Sequence, residues 1–188
     1  MPRIISGIYG GRRLKAPAGD HTRPTSDRVK EALFSAVTAR LPWTGCRVLD
    51  LFAGSGQLGL EALSRGAAKT VLVEKDRRSA AIVHDNIKAL GVSDKAELLQ
   101  MPAARALKLL GERGDAFDLI LLDPPYREAM KELLKLDRFL SDKALLKTAG
   151  LLVLEHEKDT VETASVTNLK LVKRCQYGTT MLSFLVYN

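Results

Sequence analysis

The sequence predicts an α/β fold, an open and mostly parallel sheet with helices on both faces. Three observations predict it. From residue 25 onward, strand-length apolar runs alternate with segments of helical periodicity. The runs, such as CRVLDLFA, FDLILL and GLLVLE, are apolar almost throughout instead of alternating with polar residues, as strands buried on both faces are. The length of 188 residues, with 46% hydrophobic and 27% charged, suits one domain with a core of ordinary size.

The elements follow in order. Residues 1–24 read as a basic extension and residues 25–188 as the α/β domain. In the extension, Gly7, Gly10, Gly11, Pro17, Gly19 and Pro24 forbid a long helix and predict a short β-hairpin followed by an extended loop. Val29, Ala32, Leu33, Ala36 and Val37 then recur at helical spacing, with Thr25, Ser26 or Asp27 as the N-cap. A first strand is predicted at 46–53, followed by a glycine turn at 54–59 that opens a helix ended by Gly66. TVLVE at 70–74 is the second strand, and a helix follows from Asp76 to Leu90 with Gly91 after it. A third strand at 96–99, a helix at 103–110 and a fourth strand at 117–122 continue the alternation. After Pro124-Pro125 come a helix near 128–139 and a strand at 150–155; the end reads as two strands joined at Gly178, an antiparallel hairpin.

Composition excludes several classes. No apolar run approaches the roughly 20 residues that span a bilayer, and the first residues contain no hydrophobic signal core, so a cytoplasmic protein without membrane contact is expected. Cys46 and Cys175 show no metal or redox spacing and are expected to be buried free thiols. His21, His84 and His156 form no ligand motif, so no metal is expected. The net charge of +7 suggests a polyanionic partner. Much of it is local: residues 1–30 carry Arg3, Arg12, Arg13, Lys15, Arg23, Arg28 and Lys30 against Asp20 and Asp27. Such a segment is either a solvated tail or an ordered phosphate-binding frame. Its apolar Ile4, Ile5, Ile8, Tyr9 and Leu14 favour an anchored frame.

In an open parallel sheet the ligand sits beyond the carboxyl ends of the strands, so informative residues should follow strands one, two and four. Gly54, Gly56 and Gly59 form a GxGxxG between strand and helix, and Glu74 stands 18 residues beyond Gly56 at the end of the second strand, where a carboxylate can bind a ribose diol. Several nucleotide cofactors, nicotinamide dinucleotides included, use these two features. Asp123-Pro124-Pro125-Tyr126 narrows the chemistry. Two consecutive prolines remove two donors and hold the preceding aspartate extended, leaving the Asp123 carboxylate and nearby carbonyls as rigid acceptors. Acceptors suit an exocyclic amine, whose lone pair they can turn toward an electrophilic methyl, and Tyr126 can stack on the flipped base.

Asp50 to Gly59, Glu74 and DPPY at 123–126 resemble motifs I, II and IV of the class I S-adenosylmethionine-dependent amino-methyltransferases. More narrowly, RIISGIYGGRRLKAP, RPTSDRVKEALF at 23–34, DLFAGSGQLGLEALSRGA at 50–67 and the closing YGTTMLSFLVY resemble the RsmD family, bacterial enzymes that methylate guanine N2 in 16S ribosomal RNA. The resemblance implies a three-layer, Rossmann-like sheet of about seven strands with an antiparallel last hairpin. It implies S-adenosylmethionine as cofactor and guanine 966 of 16S rRNA as target. The partner would be 16S rRNA or the assembled 30S subunit, with no obligate protein partner and a monomeric enzyme.

By position, Asp50, Phe52, Ala53, Gly54, Ser55 and Gly56 would line the methionine end of the cofactor, with Glu74 on the ribose and Lys75 and Thr25 also in contact. Asp123, Pro124, Pro125 and Tyr126 would hold the guanine amine; Arg3, Arg12, Arg13, Lys15, Arg23 and Arg28 would contact RNA. Two positions depart from the family's pattern: Gln100-Met101-Pro102-Ala103 follows strand three where an Asp or Asn usually contacts adenine, and Gln57 replaces a small residue. The alternative is a DNA adenine-N6 or cytosine-N4 methyltransferase, against which size argues, because reading a DNA sequence generally needs a further recognition element. A protein glutamine methyltransferase, a nicotinamide oxidoreductase and a silent RNA-binding module complete the field.

Overall fold

The computed structural model describes residues 2–17, 26–142, 145–158, 160–161 and 165–188. Seven strands form one sheet in the order β3-β2-β1-β4-β5-β7-β6. They are β1 (Arg47–Asp50), β2 (Lys69–Val73), β3 (Ala96–Leu99), β4 (Phe117–Leu122), β5 (Leu146–Glu157), β6 (Leu169–Tyr177) and β7 (Thr180–Tyr187). The first five pair in parallel and β7 pairs antiparallel with both β5 and β6. The fold is the expected one.

Helices α1 (Asp27–Thr38), α2 (Gln57–Ser64) and α3 (Arg77–Leu90) cover one face; α4 (Ala103–Glu112) and α5 (Ala129–Asp142) cover the other. The helix signals work as predicted. Ser26 caps α1 by accepting from the Val29 amide, Asp76 caps α3 by accepting from the Ser79 amide, and Gly91 ends α3 in the left-handed region at φ 70°. Among the described residues, no helix is long and apolar enough to cross a membrane.

Two strand boundaries differ from expectation. β1 ends at Asp50, not Ala53: beyond it regular pairing stops, and only single bonds remain, from the Leu51 amide to the Leu121 carbonyl and from the Ala53 amide to the Val73 carbonyl, as the chain enters the glycine turn. β5 starts at Leu146, not 150: Phe117 pairs with Leu146 but Leu119 with Leu151, so the extra residues form a bulge that a hydrophobic pattern does not mark. Cys46 is buried, and burial pushes its thiol up to about 11. Cys175 is only half-buried, because β6 is the edge strand.

The described part of the basic segment, residues 2–17, packs against the body. Arg3 and Arg13 form an antiparallel bridge, and the Ile4 amide donates to the Arg12 carbonyl at 2.9 Å, so residues 5–10 form the arch of a minimal hairpin. Ile4 and Leu14 are fully buried in the core beneath α1 and α2. Buried polar side chains stitch the arch down: the Glu61 carboxylate accepts from the amides of Ile5 (2.7 Å) and Ser6 (3.0 Å), and Ser64 Oγ accepts from the Tyr9 amide (3.0 Å). Lys30, fully buried, donates to the Arg3 carbonyl. Burial pulls the Lys30 ammonium below its ordinary range, against the opposing fields of Glu61 and Asp27.

Candidate active site

The strand order reverses at β1, which lies between β2 and β4, so the crossovers diverge and leave a crevice beyond the carboxyl ends of these strands. A cavity of about 710 Å³ opens there. The segment after β1 forms its floor. Gly54 (φ 58°) and Gly56 (φ 80°) both lie in the left-handed region, where a side chain would be strained. The last glycine of the motif has a packing role: a Cβ on Gly59 would stand 2.9 Å from Leu72 Cδ2 and 3.0 Å from Thr70 Oγ1. It lets α2 lie close on the sheet.

Glu74 is the brace of the turn. Its Oε2 accepts from the Gly54 amide at 2.9 Å and its Oε1 from the Asp76 amide at 2.8 Å, so one carboxylate joins the ends of β1 and β2 at the cavity wall. Beneath the turn Asp50 is fully buried; its Oδ2 accepts from the Gly59 amide at 3.0 Å, and its Oδ1 has no hydrogen-bond partner among the described residues. Burial pushes the Asp50 carboxyl up to about 7, with the charge of Glu74 adding to the rise and the amides of Gly59 and Phe52 opposing it.

Most of the predicted site residues meet in this cavity. Phe52, Ala53, Gly54, Ser55, Glu74, Lys75, Asp123, Pro124, Pro125 and Tyr126 all line it. Asp50 and Gly56 do not; they shape the turn from behind. Thr25 and Arg23 fall outside the described residues. Of the predicted RNA contacts, Arg3 pairs with Asp27 and Lys15 with Asp85, each at 2.7 Å, and Arg12 lies over the Tyr9 ring at 5.6 Å. Arg13 and Arg28 are exposed. Pro2, Ala16 and Pro17 line the cavity, so the N-terminal segment borders it, while Arg3 and Lys15 themselves are not among its lining residues.

The departure at Pro102 resolves into geometry: Met101 and Ala103 face the cavity, while Pro102 caps α4 without a side-chain bond. Gln57 also faces the cavity, 8% exposed, with its Oε1 unpartnered among the described residues.

Sequence reasoning missed three groups. Tyr126 Oη is 3.1 Å from Thr180 Oγ1 and 3.4 Å from Glu155 Oε1, so the aromatic ring is held from the antiparallel end of the sheet. Asn86, in the apolar stripe of α3, donates to the carbonyls of Ser55 (2.9 Å) and Lys15 (3.0 Å), linking the glycine turn to the N-terminal segment. Glu61 anchors that segment. For the last two a signal existed, a polar residue inside an otherwise apolar helix face; for Thr180 there was none.

The wall is acidic. Glu74, Asp123, Glu128, Glu155 and Glu157 line it against Lys75 and Arg127. Such a cavity repels phosphate and favours a cation or the donor edge of a base. The arrangement can therefore hold a nucleoside-type ligand on the turn and a planar amine at DPPY.

The family model described as "Conserved hypothetical protein 95" matches residues 2–186. The chain belongs to this family, the RsmD family. It is 40% identical over 179 residues to "Putative rRNA methyltransferase YlbH" of Bacillus subtilis (strain 168), covering 95% of each chain. It is 38% identical over 148 residues to "Ribosomal RNA small subunit methyltransferase D" of Escherichia coli (strain K12), covering 77% of this chain and 72% of that one. Among solved structures, a hypothetical protein of Thermus thermophilus superposes with a TM-score of 0.83 at 32% identity over the full length of both chains. The matched residues, 2–186, take in the N-terminal arch, the glycine turn and DPPY.

Proposed function

We propose that this protein transfers a methyl group from S-adenosylmethionine to the exocyclic N2 of guanine 966 in 16S rRNA, acting in the cytoplasm on the RNA or on the assembled 30S subunit. The observation that carries the reading is that Asp123-Pro124-Pro125-Tyr126 and the Gly54–Glu74 brace share one cavity. The residues fit the cofactor. Its ribose diol suits the Glu74 carboxylate; its cationic centres suit an acidic wall; the unpartnered Gln57 Oε1 offers an acceptor beside the turn. When bound, the cofactor supplies a methyl activated by its own sulfonium, so no metal or covalent nucleophile is required.

The chain's residues do the rest. The Asp123 carboxylate and Pro124 carbonyl accept the two amine hydrogens, which draws the nitrogen toward tetrahedral geometry and aims its lone pair at the methyl carbon. Tyr126 stacks on the base; as the N–C bond forms, the nitrogen would take the methyl of the bound cofactor and leave the neutral thioether S-adenosylhomocysteine. The surplus proton on nitrogen then passes to Asp123 or to water. Arg3, Arg12, Arg13, Lys15 and Arg28 contact phosphates outside.

Mass spectrometry of 16S rRNA from a strain lacking the gene tests this. An N2-methylguanine present in the parent should be absent; an unchanged guanine methylation profile refutes the reading. Thermal shift separates the cofactors: stabilisation by S-adenosylmethionine and not by NADH is expected.

A further inference from the structure

Glu155 stands at the end of β5, in the same cavity as Asp123 and Tyr126, and its side chain has no assigned role. It is 5% exposed. Its Oε1 lies 3.4 Å from Tyr126 Oη, which is also 3.1 Å from Thr180 Oγ1, so the carboxylate is fixed beside the aromatic ring on which a base would stack. The other carboxylates of the wall differ. Glu157 is exposed, Glu128 sits half-buried on the turn after DPPY, and Glu74 is engaged with the amides of Gly54 and Asp76. Asp123 itself is half-buried, so Glu155 is the carboxylate of this wall that water competes with least, and a desolvated carboxylate discriminates strongly between a donor and a lone pair facing it.

The nucleobases that carry an exocyclic amine differ in what flanks it. In adenine and cytosine both neighbouring positions lack a ring N–H: adenine N1 and cytosine N3 are bare acceptors. In guanine the ring nitrogen N1 beside the 2-amine carries a hydrogen. A second carboxylate next to the amine-gripping Asp123 therefore attracts guanine and repels the other two, which gives selection by attraction and repulsion together.

We propose that Glu155 is the specificity-determining residue of this site, accepting the N1–H of the target guanine while Asp123 and the Pro124 carbonyl hold its 2-amine. The inference rests on the guanine-N2 reading above. The Tyr126 hydroxyl, itself held by Thr180 Oγ1, lies against the carboxylate.

The test pairs a protein change with a substrate change. First, the guanine that the wild-type protein methylates in 16S rRNA is located by mass spectrometry. Ligated RNA is then made with guanine or 2-aminopurine at that nucleotide; 2-aminopurine keeps the amine and lacks the N1–H. The wild-type protein should methylate the 2-aminopurine RNA with a kcat/KM about tenfold to a hundredfold lower. Glu155→Gln should lower kcat/KM on guanine by a similar factor and bring the two substrates close to parity, with S-adenosylhomocysteine affinity retained in calorimetry.

A wild-type ratio near one overturns the inference, and this measurement needs no variant. So does an unchanged ratio in Glu155→Gln, the result expected if Glu155 only positions Tyr126, because both substrates then suffer equally. Failure of the underlying reading looks different: the wild-type protein would form no N2-methylguanine on the guanine RNA, and the inference would fall with it.

Discussion

Glu61 is the residue on which the attachment of the N-terminal arch depends most. Its carboxylate is fully buried and accepts from the Ile5 and Ser6 amides at 2.7 and 3.0 Å and from Arg65 Nε at 2.8 Å. Replacing it with alanine removes two charge-assisted bonds to backbone amides and the buried partner of Arg65, 10% exposed, and among the described residues leaves Arg65 only Glu31 and the fully buried Lys30 only Asp27 as carboxylate neighbours. Breaking a buried pair from one side costs about 3–5 kcal/mol. For a chain of this size, each kcal/mol moves Tm by about 2–4 °C, so Glu61→Ala should lower Tm by roughly 6–20 °C. Glu61→Gln keeps one acceptor and should lose about half as much. Calorimetry gives Tm, and hydrogen exchange reads the amides of Ile5, Ser6 and Tyr9, which should lose protection before the sheet does. A Tm within about 2 °C of wild type, with protection of those amides intact, refutes the claim that this carboxylate holds the arch.

Three further outcomes are expected. Asp123→Ala should lower methyl transfer by about a hundredfold or more while S-adenosylhomocysteine affinity in calorimetry stays within a factor of a few; full activity would remove Asp123 from the chemistry. Arg12→Ala with Arg13→Ala should weaken RNA binding and reduce the slope of log affinity against log salt by about 2, with cofactor affinity unchanged; an equal fall in cofactor affinity would make the segment structural instead. Asp50 has a folded pKa of about 7 against 3.8 ordinarily, so the folded state holds its proton more tightly. The stability contribution is complete below pH 3.8 and is lost as pH rises toward about 7. Urea unfolding of wild type relative to Asp50→Asn should show that decline across the same window, and parallel pH profiles would refute the shift.

Much of the site was legible because its signals are local. Glycines at 54 and 56 announce a turn that only positive φ permits, and both adopt it. Pro124 and Pro125 stiffen the chain wherever they occur, and an apolar strand before each motif puts Asp50, Glu74 and Asp123 at or just past strand ends. Helix caps at Ser26 and Asp76 follow from side chains that reach only three residues along. The bulge in β5 escaped notice because it depends on how β4 pairs, not on the β5 residues themselves.

The sequence by itself determined the element order, the fold class and the motifs that mark the cavity, since periodicity, turn chemistry and proline geometry act over a few residues. Tertiary structure alone decided which distant groups meet. Glu61 reaches residues 55 and 56 positions away, Asn86 joins the glycine turn to a segment 71 positions earlier, and Thr180 meets a tyrosine 54 positions before it. It also decided which charges face outward: Lys30 reads as one more cation of a basic segment, yet it is buried. These contacts depend on strand order and on the hairpin folding back antiparallel beside β5, and a hydrogen bond between such remote residues leaves no mark on the residues adjacent to either partner.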